Sequence, residues 1–361
     1  MSSTPTTFST PGPSPEPLRV GLIGFGTAGR FFHAPLLATT PGLALTTIIT
    51  SDPTRREQAL AAYPGVQIVA KADDLWPQEL DLVVVAAPNK SHVPLASEAI
   101  EAGAAVVVDK PLAITSKDTS ALVELAQQRG RLLSVFQNRR WDGDFRTARQ
   151  LIDEGRLGTV HRFESRFERW RPQLKGGWRE QGGRGEGSGL LYDLGSHLID
   201  QALTLFGPAT SVYAEADVRR AGAQADDDTF IALTHATGTR SHLWASATAA
   251  SLGPRFRVLG SQAAYVTYGL DGQEDELRAG RTPRDEAFGI TPPTRYGKLG
   301  AEASFEPHPT LPGRYTDYYA AIEHALRGTG PVPVDPQDAV TALRIIEAAR
   351  VSADEGRVVA L

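Results

Sequence analysis

From Leu18 the chain settles into short apolar runs separated by amphipathic stretches. Leu18–Gly24 (LRVGLIG) and Leu43–Thr50 (LALTTIIT) open the series, followed by Asp81–Ala87 (DLVVVAA), Ala104–Val108 (AAVVV) and Arg131–Phe136 (RLLSVF). The runs are largely continuous rather than alternating, which is the pattern of parallel strands buried on both faces. Helical stretches lie between them: one through Ala38, one restarting at Asp52-Pro53 with proline in its favoured first turn, and others near Ser91–Ala102 and Ser116–Arg129. Strands alternating with helices predict a doubly wound parallel sheet over residues 18–138.

After about Arg139 the grammar changes. Phe145–Glu154 reads as a helix, Val160–Arg169 alternates like an antiparallel strand, and a Gly/Arg-rich loop covers Arg171–Gly187. A helix over Leu190–Phe206 follows. Alternating runs at Val212–Val218, Thr229–His235, Ser241–Ala247 and Arg255–Tyr268 read as strands of one open sheet. Leu270–Pro312 is rich in Gly, Pro and charge and reads as a long excursion. Helices near Tyr315–Arg327 and Pro336–Asp354 close the chain, the last one able to pack back on the first domain. The expected architecture is α/β: a parallel domain, then an α+β domain over 139–361 with an open, largely antiparallel sheet.

Composition sharpens this picture by exclusion. A length of 361 residues suits two domains, and 41% apolar with 22% charged residues is ordinary for a globular chain. The first residues, 1–17, are rich in Pro, Ser and Thr and read as a flexible tail without the charged-then-apolar pattern of a secretory signal. No apolar run approaches membrane-spanning length, so no membrane partner is expected and a cytoplasmic location is the default. The formal charge of -5 gives no reason to expect nucleic acid. With no Cys, disulfides, thiolate metal sites and cysteine nucleophiles are excluded.

Gly24-Phe25-Gly26-Thr27-Ala28-Gly29 is a G-x-G-x-x-G turn between an expected strand and an expected helix. That context makes it a Rossmann dinucleotide-binding turn: a tight bend, room for a pyrophosphate, close helix packing, and free N–H groups at a helix start. An NAD site places a carboxylate about 20 residues further on. That place falls at Thr50-Ser51, with Arg55 and Arg56 beyond. Hydroxyls and a nearby arginine suit a 2′-phosphate that a carboxylate would repel, so NADP is the preferred cofactor and NAD the alternative. The other reading has Thr50 and Ser51 capping the next helix.

Lys110 follows an apolar strand at the carboxyl edge where such sheets bind ligands, and Pro111 restricts the backbone behind it. Asp193 and His197, four apart in an expected helix, share one face. Two such ligands without a clear third make a poor zinc site, and no metal is expected. The near-alternation of Arg162, Arg166, Arg169 and Arg171 fits a solvated strand face more simply than an acidic ligand.

Taken in order, the glycine turn, Ala87-Pro88-Asn89 with His92, Asp109-Lys110-Pro111 and Gly187–Gly207 (GSGLLYDLGSHLIDQALTLFG) resemble the Gfo/Idh/MocA oxidoreductases, the glucose–fructose oxidoreductase and inositol dehydrogenase family. Phe136–Phe145 (FQNRRWDGDF) is similar to the branch containing NADP-dependent scyllo-inositol dehydrogenases. Asp109 stands where the family more often has Glu. The resemblance implies hydride exchange between nicotinamide and a secondary alcohol or ketone of a sugar or cyclic polyol, scyllo-inositol among the candidates. It also implies Lys110, Asp193 and His197 as catalytic and substrate-binding residues, with the base left open between Lys110 and His197. Pro88, Asn89, His92 and Asp109 join Thr27 and Ala28 in the expected cofactor site. His92 near the nicotinamide ribose and His92 as a helix-starting residue both stay open. Asn138 and Arg139 are candidates for polyol hydroxyls, and Trp178 for an apolar wall or a packing residue. Family members commonly associate through the open sheet, which implies a homodimer or a tetramer of dimers.

Overall fold

In the computed structural model, residues 16–361 are described; the expected tail at 1–17 lies outside them except for its last two positions. The first sheet contains β1 (Leu18–Ile23), β2 (Leu43–Ile49), β3 (Gln67–Val69), β4 (Leu82–Val85), β5 (Ala105–Asp109) and β6 (Leu133–Phe136). All are parallel in the order β3-β2-β1-β4-β5-β6. Helices cover both faces, so strands such as β4 and β6 are buried throughout and have no reason to alternate. Strand order reverses between β1 and β4, which opens a crevice at their carboxyl ends. β3 escapes the sequence pattern because it is three residues long, with only its last residue buried.

The second sheet holds β7 (Val160–Glu168), β8 (Ala209–Asp217), β9 (Asp228–His235), β10 (Arg240–Ser246), β11 (Phe256–Gly260), β12 (Ala264–Thr267), β13 (Gly297–Gly300), β14 (Glu306–His308) and β15 (Val359–Ala360). Every neighbour is antiparallel except β7 and β10. The sequence run Arg255–Tyr268 is therefore a hairpin, β11 turning into β12 at Ser261-Gln262, and not one strand. The excursion supplies β13, β14 and a helix, Gln273–Arg278, that sequence alone did not reveal.

Alternation decides which face of this sheet is covered. Along β9, Thr229, Ile231, Leu233 and His235 are buried while the residues between them are half-buried. The buried face meets the helices Gly143–Asp153, Gly195–Phe206 and Pro336–Glu355, whose Phe145, Leu198 and Ile346 share its core. On the opposite face Phe230 and Trp244 pack at 5.1 Å, with the Arg166 guanidinium 3.9 Å over the Trp244 ring. No described helix is long and apolar enough to cross a membrane.

The two lobes share more than a linker. Tyr315, Tyr318, Tyr319, Ile322, Val334 and Val340, all from the end of the chain, complete the core around the first sheet. Arg140, just after β6, donates to Asp200 at 2.9 and 2.6 Å and to Asp338 at 2.8 Å. Burial works against its charge, but Asp200 and then Asp338 more than compensate and hold the guanidinium pKa above its ordinary value. Asp200 is only 3% exposed. Arg140→Met therefore strands a buried carboxylate, and urea unfolding should show a loss of about 3–5 kcal/mol; a loss within ~0.5 kcal/mol, the ordinary range for surface substitutions, would show that the pair does not anchor the segment leaving β6.

Candidate active site

The glycine turn sits at the crevice. Gly24 has φ +97°, and a Cβ there would lie 2.5 Å from the Ala86 carbonyl oxygen. A Cβ on Gly29 would lie 2.0 Å from the Gly24 oxygen, so the third glycine is required by backbone contact. At Gly26 the space is open except for the Arg55 guanidinium, 3.9 Å from where a Cβ would stand. This leaves backbone exposed for a pyrophosphate, beside a cation, and the residues fit a dinucleotide. Asp52 is the cap of the helix Pro53–Ala62: its carboxylate accepts from the Arg55 amide at 3.0 Å and lies 3.7 Å from the Arg55 side chain. Capping thus falls to Asp52 rather than to Thr50 or Ser51. The Thr50 hydroxyl accepts from the Asp52 amide at 3.3 Å, and Ser51 is exposed.

β5 delivers Asp109 and Lys110 to the same edge. The Lys110 amide donates to the Asp109 carboxylate at 2.9 Å, and Asp109 lies 3.9 Å from the buried His33 ring, which meets the Tyr319 hydroxyl at 2.6 Å. Burial would raise the Asp109 pKa, but His33 and the charges of Lys110 and His92 outweigh it and hold it below the usual carboxylate value.

The Lys110 ammonium reaches across to the second lobe. It donates to the Asp193 carboxylate at 2.8 Å and to the Asp193 carbonyl at 2.6 Å. That carbonyl is available because the expected continuous helix is broken. One short helix runs Leu190–Asp193, Leu194 interrupts it, and a second begins at Gly195. The His197 amide consequently donates to Leu194 rather than to Asp193. Asp193 and His197 thus meet the cleft from two helices, not from one shared face. Asp226 fixes the start of the first: its carboxylate accepts from the Leu191 amide at 2.7 Å and lies 2.0 Å from where a Cβ on Gly189 (φ +92°) would stand.

His197 is buried, and its Nδ1 has no hydrogen-bond partner. Its ring lies 6.2 Å from Phe167. Burial first, then the charges of Lys110 and Arg139, push its pKa well below 6.5, with Asp193 only partly opposing.

Lys110, Asp193 and His197 open into one cleft of about 410 Å³, whose walls include Thr27, Ala28, Asp109, Asn138 and Arg139. Other expected residues lie elsewhere. The His92 ring is buried, with its two nitrogens 2.8 Å from the carbonyls of Ala87 and Pro111, so it braces the turn behind Lys110 and is not a wall of the cleft. Pro88 is exposed and Asn89 half-buried, with the Asn89 amide nitrogen 3.5 Å from where a Cβ on Gly187 would stand. Arg139 reaches the wall, but its guanidinium is committed to the Tyr315 hydroxyl at 3.0 Å and to Glu274 at 2.5 Å. Trp178 begins a short helix, Trp178–Gln181; the expectation for its side chain falls outside what is described.

Sequence reasoning missed Glu274 and Arg278, which the excursion brings to the wall, and Arg220 with its partner Glu180. It also treated four arginines of the β7 segment as one face. Arg162 and Arg166 have the parity of the open face, whereas Arg169 and Arg171 share the parity of the inward Phe163 and Phe167 and line the cleft. That difference was readable from odd and even positions.

Comparison with known proteins supplies the context. Residues 18–137 match the oxidoreductase family NAD-binding Rossmann fold, and residues 149–361 match the oxidoreductase family C-terminal alpha/beta domain, both of Gfo/Idh/MocA type. The chain belongs to the Gfo/Idh/MocA oxidoreductase family. It is an NAD(P)-binding oxidoreductase of that family. It is 45% identical over 335 residues to the uncharacterized oxidoreductase YdgJ of Escherichia coli (strain K12), covering 91% of this chain and 94% of that one. It is 35% identical over 351 residues to scyllo-inositol 2-dehydrogenase (NADP(+)) IolW of Bacillus subtilis (strain 168), covering 96% of each. The solved structure of the putative oxidoreductase yvaA from Bacillus subtilis superposes with a TM-score of 0.91 at 35% identity, covering 96% of this chain and 99% of that one.

One prediction follows from His197 alone. In a side-chain nitrogen titration by NMR, its ring should stay neutral as pH falls through 6.5. The unfolded chain takes up that proton and the folded one does not, so His197 lowers stability as pH falls below 6.5. An imidazole that titrates at its ordinary value would contradict this environment.

Proposed function

We propose that this oxidoreductase interconverts a secondary alcohol and a ketone on a sugar or cyclic polyol, with NADP preferred over NAD. The observation that carries the proposal is the Lys110 ammonium bound to Asp193 at 2.8 Å, beside the neutral His197, in a cleft walled by Thr27 and Ala28 of the glycine turn. The similarity to a scyllo-inositol 2-dehydrogenase (NADP(+)) supports this substrate class and cofactor, with scyllo-inositol as one candidate.

A bound nicotinamide dinucleotide supplies the hydride acceptor or donor; the chain's task is to place the carbinol carbon and manage one proton. An ammonium has three N–H bonds, and two of those on Lys110 are taken by Asp193. The third is left for the substrate oxygen, where it stabilises developing alkoxide or donates to a ketone being reduced. In the oxidation direction the neutral His197 is the group with a lone pair for the hydroxyl proton. Asp193 holds the lysine in place. The cations around His197 make its imidazolium costly, which favours passing the proton on.

Two experiments test this reading. Lys110→Ala should lower kcat by about 100-fold or more in a polyol panel that includes scyllo-inositol, while the NADPH dissociation constant moves by less than about threefold. Turnover that survives with only a small loss would remove Lys110 from the chemistry. For the cofactor, Ser51→Asp places a carboxylate beside Arg55, where the 2′-phosphate of NADP is expected. The ratio of kcat/KM for NADP over NAD should fall by at least about tenfold; an unchanged ratio would overturn the NADP preference.

A further inference from the structure

The cleft carries more positive charge than its own acids balance. Among the lining cations, Lys110 is paired with Asp193 at 2.8 Å, Arg139 and Arg278 with Glu274 at 2.5 and 3.0 Å, and Arg220 with Glu180 at 2.9 Å. Of the other lining acids, Asp226 spends its carboxylate on the Leu191 amide and the Thr229 hydroxyl, and Asp109 on the Lys110 amide and the neighbouring His33 ring. Three lining cations remain, Arg169, Arg171 and Lys175, and no described carboxylate lies within ion-pair distance of them. All three come from one short segment leaving β7.

Arg171 and Lys175 are exposed and Arg169 half-buried, and the backbone of the two arginines is held in place. The Arg169 and Arg171 amides donate to the carbonyls of Ser246 and Ala247, both at 2.8 Å, and the Arg169 carbonyl accepts from Ala249 at 3.2 Å. The backbone is therefore pinned to the end of β10 before any ligand arrives. Residues two apart on extended chain share a face. Phe167, which packs against His197, is thus followed one step further out by Arg169 and then by Arg171. Trp170 between them is 58% exposed. Arg169 is half-buried, and desolvation, reinforced by Arg171, lowers its pKa from the usual arginine value. The charges of Glu274 and Asp193 oppose that shift only partly, so an anion bound here would lower the cost of burying this guanidinium.

We propose that the cleft takes a polyhydroxylated substrate carrying one anionic group, a carboxylate or a phosphate, which Arg169 binds with help from Arg171 and Lys175. This rests on the reading of the cleft as a sugar- or polyol-oxidising site. A strand step is roughly 7 Å for two residues, about the reach of a six-carbon skeleton between its reacting carbon and a terminal acid. The cofactor's own phosphates have their cradle elsewhere, at the glycine turn and Arg55 on the other lobe.

The test uses the full-length enzyme with saturating NADP and substrates that differ only in the anion. D-glucose is compared with D-glucuronate and D-glucose 6-phosphate, and D-glucitol with D-gluconate. In at least one set the anionic member should exceed its neutral counterpart by about tenfold or more in kcat/KM, and the carboxylate and phosphate arms identify which anion is held. Arg169→Gln should reduce that preference by about 10- to 100-fold, Arg169→Lys should restore part of it, and the NADP KM should shift by less than about threefold. Calorimetric binding of the preferred acid to the NADP-loaded protein reads the same loss without turnover. Neutral members handled as well as both acids would overturn the proposal. So would an Arg169→Gln loss shared equally by neutral and anionic substrates, or a loss expressed only in the NADP KM. Turnover of no polyol or sugar, charged or neutral, would remove the underlying reading and this inference with it.

Discussion

The site depends on a single ammonium shared by two lobes. Lys110 leaves the parallel sheet, Asp193 ends a helix of the second lobe, and each holds the other at 2.8 Å. Taking both charges out of water is costly, and attraction offsets that cost only when geometry is good and further polar contacts are made. Here the further contact is the Asp193 carbonyl at 2.6 Å, and a broken helix makes it available. The surrounding structure serves this arrangement. Asp226 and Gly189 fix the helix that carries the aspartate, while His92 ties the turn that carries the lysine to the end of β4.

The same pair shapes its neighbour. Burial first, and then a nearby lysine and two arginines, keep the His197 ring neutral. A charged group and a proton acceptor therefore coexist in one cleft. Electrostatics thus assigns different roles to residues that the sequence shows only as Lys, Asp and His.

Much of this was legible in the chain because local patterns were enough. Continuous apolar runs located five strands of the parallel sheet, and the glycine spacing located the turn, since both depend on neighbours a few positions away. What was not legible depended on distant partners. Apolar periodicity runs through Leu194 and only Gly195 hints at a break, because the lysine that uses the freed carbonyl lies 83 positions earlier. His92 was open between a cofactor contact and a helix start; it begins the helix His92–Glu101, and both its ring nitrogens lie against carbonyls. Arg139 looked like a free donor until the excursion brought Glu274 to it, 135 positions away. The strand arginines were different: their parity was available, and only their grouping hid it.

The contribution of the chain's end to the first core bears on the order of assembly. On β6 the buried Ser134 hydroxyl donates to the Val334 carbonyl at 2.9 Å and meets the Tyr318 hydroxyl at 3.1 Å, contacts separated by 200 and 184 positions. Contacts this distant in sequence require large loops to close and form late. A ribosome that has released the glycine turn and all six parallel strands has therefore not yet supplied the tyrosines that pack against them. The nucleotide-binding lobe precedes in the chain the helices that complete it, so it is made before it can be finished. A nascent chain carries that unfinished apolar surface until the helices holding Tyr318 and Val340 emerge, and this joins the two lobes as one unit of synthesis and of quality control.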